Sequence, residues 1–139
     1  MDARDRTFVL SSDRISANQP RILVIEDDRH VRTLLCELLS GWGYEADAVP
    51  SGREGLALFD RGSYAAVLTD LAMPDVSGLE VVAGVRDRDR SVAVLMFTGC
   101  LDDLDNEERR LGFRVLHKPL DIEGLRRAVR DSLTRPRAG

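Results

Sequence analysis

The chain has 139 residues, 43% of them apolar and 32% charged, with a net charge of −4 and a sequence isoelectric point near 5.2. That length holds one domain with a core between packed layers and leaves no room for two. The composition excludes a disordered tail, and the acidic balance gives no electrostatic reason to hold a nucleic-acid backbone.

The longest apolar run, residues 92–97, is too short to cross a bilayer, and the acids within the first six residues do not read as a secretory signal. A cytoplasmic protein with no membrane and no direct nucleic-acid partner is expected. Cys36 and Cys100 lack any CxxC spacing, so both are expected as free thiols.

Residues 1–20 are polar and aperiodic and are expected to be a flexible leader. From Arg21 short apolar runs alternate with helical periodicity. The predicted strands are Ile22-Leu23-Val24-Ile25, residues 45–49, Ala65-Ala66-Val67-Leu68, residues 92–97 and residues 114–116. The first helix is written by Val31, Leu34, Leu35, Leu38, Leu39 and Trp42 on one face, with Gly41 and Gly43 ending it. The second and third helices open with Ser51-x-x-Glu54 and Ser77-x-x-Glu80, each read as a capping box. A fourth helix, near residues 102–111, has only the sparse apolar face of Leu101, Leu104 and Leu111. The last starts at Asp121 as a cap, with Leu120 and Leu125 as a hydrophobic staple, and continues through Ile122, Val129 and Leu133. Residues 21–134 form the predicted domain and residues 135–139 a short tail.

Strands alternating with helices imply βαβ crossovers and a parallel sheet covered on both faces. In such a sheet ligands bind beyond the carboxyl ends of the strands. The first predicted strand runs into Glu26-Asp27-Asp28, the third into Thr69-Asp70, the fourth into Thr98-Gly99 and the fifth into His117-Lys118-Pro119. Gathering Asp70 with Glu26 and Asp27 costs about 4 kcal/mol per pair at ~4 Å and an effective dielectric near 20. A hard divalent cation relieves that repulsion, and Mg²⁺ suits one or two carboxylates, a backbone carbonyl and retained waters. Lys118 is the only lysine, the other nineteen basic residues being arginine, which suggests that the edge calls for a compact ammonium. Thr98 offers a hydroxyl there that can hydrogen-bond a phosphoryl oxygen.

These residues resemble the response-regulator receiver domains of two-component signalling. Ile22 to Asp28 is similar to the acidic first-strand signature, Asp70-Leu71-Ala72-Met73-Pro74 with Ser77-Gly78 to the phospho-acceptor loop, and Thr98-Gly99 and Lys118-Pro119 to the remaining sites. The resemblance implies an α/β, doubly wound, flavodoxin-like fold with a five-stranded parallel sheet in the order 2-1-3-4-5. It implies Asp70 as phospho-acceptor, Glu26, Asp27, Asp70 and the Ala72 backbone carbonyl around Mg²⁺, Thr98 on the phosphoryl group, and Lys118 paired with the acidic cluster. A histidine kinase or phosphotransfer protein would be the donor, and an unknown downstream protein the target. The Lys118-Pro119 bond is expected to be cis.

Two features depart from the family pattern. Val115 stands where an aromatic residue is usual three places before the lysine, and the interval from Thr98 to Lys118 is shorter than the commonest spacing. His30 and His117 read as ordinary helix-start and strand-end side chains, and Arg126, Arg127 and Arg130 as a solvated face or a docking face for an acidic partner surface. A haloacid dehalogenase-like phosphatase would need a second acid where Ala72 stands. A flavodoxin-like cofactor binder would need a phosphate-cradling loop after the first strand, which is not found. A fragment of a hybrid kinase or larger regulator, or a degenerate receiver that only binds proteins, are further alternatives.

Overall fold

A computed structural model describes residues 19–99 and 103–134. Among these residues five strands, β1 (Arg21–Ile25), β2 (Glu45–Val49), β3 (Ala66–Asp70), β4 (Ala93–Thr98) and β5 (Arg114–His117), alternate with five helices, α1 (Arg29–Gly41), α2 (Gly52–Arg61), α3 (Gly78–Arg88), α4 (Asp105–Leu111) and α5 (Ile122–Thr134). The strands are parallel in the order β2-β1-β3-β4-β5, the expected doubly wound sheet. Strand order reverses between β1 and β3, so a crevice opens beyond their carboxyl ends.

The period of two in the strands divides the core into two layers. Ile22, Val24, Ala66, Leu68, Leu95 and Phe97 face α1 and α5, where Leu35, Leu39, Leu125, Ala128 and Val129 are buried. Leu23, Ile25, Val67, Val94 and Met96 face the other way, with Val81, Val82 and Val85 of α3 and with Leu104 and Phe113, which flank α4. Burial on both faces is what makes β1, β3 and β4 read as continuous apolar runs.

Helix starts follow local polar chemistry, with some differences from the sequence reading. Asp28 caps α1 by accepting from the His30 and Val31 amides at 2.8 and 3.1 Å. Ser77 and Glu80 form the complete capping box expected at α3. At α2 the box is only half made: Ser51 Oγ accepts from the Glu54 amide, but the Glu54 carboxylate takes the Ser51 hydroxyl instead of its amide. The first-turn amides of Gly52 and Arg53 go to the Asp75 carboxylate, 23 and 22 residues away, at 3.2 and 3.0 Å. Asp121 receives the Gly124 amide as a cap of α5.

Leu34 was expected on the buried face of α1 and is 48% exposed. The buried stripe is centred on Leu35 and Leu39, and Leu34 lies about 100° round the helix from Leu35. Gly41 remains inside α1; Trp42 caps it and Gly43 turns the chain at φ +97°. Helix α4 starts at Asp105, later than the expected residue 102, and β3 and β4 extend to Asp70 and Thr98. The expected leader, apart from Gln19 and Pro20, the tail, Cys100 and Leu101 lie outside the described residues. Cys36 is a free thiol.

Candidate functional site at the carboxyl edge of the sheet

The parallel ladder delivers the polar residues to one edge. Asp70 closes β3 opposite Phe97, and Thr98 closes β4 opposite His117. Ladder bonds continue past the strands: the Glu26 amide donates to the Val49 carbonyl at 3.1 Å, Leu71 to Phe97 at 3.0 Å and Lys118 to Thr98 at 2.8 Å. Glu26, Asp27 and Asp70 each present a carboxylate oxygen within 4.8 Å of the others. Glu26, Asp70 and Thr98 are buried, whereas Asp27 is exposed.

Lys118 supplies the countercharge. Its Nζ lies 3.2 Å from Asp70 Oδ2, with the Asp70 side chain 6% exposed and that of Lys118 37% exposed. The Lys118–Pro119 bond is cis, as expected.

Glu26 is the electrostatically costly member. Burial pushes its carboxyl up to about 7; the Asp28 amide opposes the shift, and the Asp70 charge adds to it. Its Oε2 accepts from the Asp28 amide at 2.9 Å, while its Oε1 is buried with no hydrogen-bond partner. A buried carboxylate oxygen without a donor is costly, and a hard cation beside Asp27 and Asp70 would satisfy it. The donor set therefore fits Mg²⁺ on its own chemistry.

Ala72 is exposed in the loop after Asp70. That loop folds back sharply: the Gly78 amide donates to the Leu71 carbonyl at 2.7 Å. A Cβ at Gly78 would collide with the Asp70 carbonyl oxygen and come within 2.8 Å of Leu71 Cα. Asp75 ties the same loop to the start of α2.

Three side chains at this edge were missed by the sequence reading. Arg32 donates to the Glu26 and Asp27 carbonyls, Asp75 holds α2, and the Phe97 ring lies under Lys118. Arg32 and Asp75 look like solvated charges in the sequence, and Phe97 like any strand residue. His30 and His117 lie outside the carboxylate cluster. Val115 is half-buried and packs in the layer that holds α3 and α4.

The doubly wound fold and its acidic carboxyl edge mark a receiver class of domain, and the comparisons agree. Residues 22–130 match the response regulator receiver domain family, and the chain belongs to it. The transcriptional regulatory protein TcrA of Mycobacterium tuberculosis is 40% identical over 78 residues, covering 56% of this chain and 31% of TcrA. The chain thus spans about a third of TcrA's length. The Vibrio cholerae chemotaxis protein CheY4 superposes with a TM-score of 0.78 at 26% identity, covering 83% of this chain and 99% of CheY4. The Thermotoga maritima response regulator TrrA, solved in complex with Mg²⁺-BeF, gives 0.76 at 31% identity over 83% of this chain and all of TrrA. Among the described residues no helix is long and apolar enough to cross a membrane.

Proposed function

We propose that Asp70 accepts a phosphoryl group from the phosphohistidine of a histidine kinase or phosphotransfer protein, and that the protein thereby switches its affinity for a downstream partner in the cytoplasm. The observation that carries this reading is the Lys118–Asp70 ion pair at 3.2 Å inside a three-carboxylate cluster. An Asp70 oxygen attacks phosphorus in line, forming an acyl phosphate as the bond to the donor nitrogen breaks. Lys118 offsets charge on the transferring oxygens, and Thr98 donates its hydroxyl to one of them. Glu26, Asp27, Asp70 and the Ala72 carbonyl would hold Mg²⁺, which when bound neutralises charge on the carboxylates and the phosphoryl oxygens. TrrA, with its Mg²⁺-BeF, supports the metal assignment by likeness. The chemistry is confined to the protein's own phosphorylation and hydrolysis, so it is a signalling acceptor and not a turnover enzyme.

Intact-mass measurement with acetyl phosphate and Mg²⁺ tests the reading. One added phosphoryl group is expected, absent in Asp70→Asn and absent with EDTA. Labelling that persists in Asp70→Asn would overturn the assignment.

A further inference from the structure

Three consecutive acids follow β1, and the Arg32 side chain reaches back to the carbonyls of the first two. Its Nη1 donates to the Glu26 carbonyl at 2.9 Å and to the Asp27 carbonyl at 3.2 Å. Its amide donates to the Asp28 carbonyl at 2.9 Å. We infer that Arg32 is a positioning residue for the cation site: from the first turn of α1 it fixes the two peptide planes that aim the Glu26 and Asp27 carboxylates. The inference rests on the proposed Mg²⁺-dependent phosphorylation.

The chemistry favours geometry over charge neutralisation. The guanidinium donates to backbone carbonyls, so its hold on the loop is geometric. Fixing carbonyls at 26 and 27 limits rotation of the backbone on either side of the Asp27 Cα. That matters because Asp27 is exposed, so packing does little to orient it. Asp28 cannot do the same work, because its side chain is committed to the His30 and Val31 amides. Two hydrogens on one planar nitrogen suit two neighbouring carbonyls, whereas a lysine ammonium on its flexible stem lacks that fixed fork.

Mg²⁺ titration calorimetry on the unphosphorylated protein tests this without recourse to phosphorylation. Arg32→Ala should weaken Mg²⁺ binding by about tenfold, as loss of an outer partner of a metal site does, and Arg32→Lys by a smaller factor. Saturating Mg²⁺ should restore the phosphorylation rate of Arg32→Ala to within about twofold of wild type, because Arg32 touches no reacting atom. Leu39→Ala, which damages the buried face of α1 away from the loop, should leave Mg²⁺ affinity unchanged while lowering Tm. Unchanged affinity in Arg32→Ala, or an equal loss in Leu39→Ala, would overturn the positioning role. Should Arg32→Ala fail to fold, unchanged affinity in Arg32→Lys overturns it equally. Wild-type protein with no measurable Mg²⁺ affinity would instead overturn the proposed site, an outcome distinct from the others.

Discussion

Lys118 Nζ stands 5.5 Å from the centroid of the Phe97 ring, and Phe97 is the β4 residue in register with Asp70. The aromatic face steadies the ammonium from one side while Asp70 holds it from the other. A contact of this kind is worth about 0.5–2 kcal/mol. Phe97→Leu keeps the position apolar and removes the ring's face. Phosphorylation of Asp70 by acetyl phosphate, followed by intact mass, should slow by roughly fivefold, equivalent to about 1 kcal/mol. A rate equal to wild type would show that Asp70 alone orients the lysine.

Gly78 sits where a side chain would strike the Asp70 carbonyl and the Leu71 backbone. Gly78→Ala must therefore shift the loop after Asp70, since backbone cannot step aside as a flexible side chain can. Urea unfolding should show a loss of about 1–3 kcal/mol, the range for overpacking, with phosphorylation reduced as well. Wild-type stability and labelling together would refute the collision.

Tyr64 gives a pH signature far from the site. Burial pushes its phenol up to about 12 from the ordinary 10, and the hydrogen bond it donates to Asp47 Oδ2 at 2.8 Å acts in the same direction. The raised group favours its protonated form in the folded state. Its contribution to stability is complete below pH 10 and is lost as pH rises through about 12. Unfolding free energy should fall across that window, and Tyr64→Phe should flatten the fall. Tyrosinate absorbance would report the same raised titration in the folded protein.

Helix α4 carries no buried residue of its own, and its N-cap residue, Leu104, makes no side-chain cap bond. Elements so lightly docked open at low free energy. Phosphorylation should change amide hydrogen exchange across residues 103–113 more than in α1, whose Leu35 and Leu39 are fully buried. Val115→Ala should leave Asp70 labelling within about twofold of wild type, because a stiff β-branched side chain in this layer touches no reacting group. Identical exchange with and without the phosphoryl group would assign the readout to the carboxyl edge itself.

The order of elements was legible because each buried strand is an apolar run ending in a polar residue. Placing Asp70 and Lys118 at one edge followed from that alone. What escaped were contacts made across the chain. Asp75 caps a helix that starts 23 residues earlier, Arg32 turns back to the loop before its own helix, and Phe97 lies under a lysine 21 residues later. No local pattern marks such pairs, since each residue type is ordinary where it stands. The exposure of Leu34 was hidden for a different reason. A six-residue apolar arc on α1 is wider than the strip that the sheet covers, and periodicity does not say which margin is left out.

Helix α4 is tied to α3 at its carboxyl end. Arg86 of α3 donates from Nε to the Leu111 carbonyl at 2.6 Å and from Nη2 to the Gly112 carbonyl at 2.8 Å, and Gly112 turns the chain there at φ +72°. At the other end the Asp105 amide is held by the exposed Asp103 carboxylate in the chain just before the helix. The two ends are therefore held by different forces, polar contacts from α3 at the carboxyl end and burial of the Leu104 side chain at the amino end.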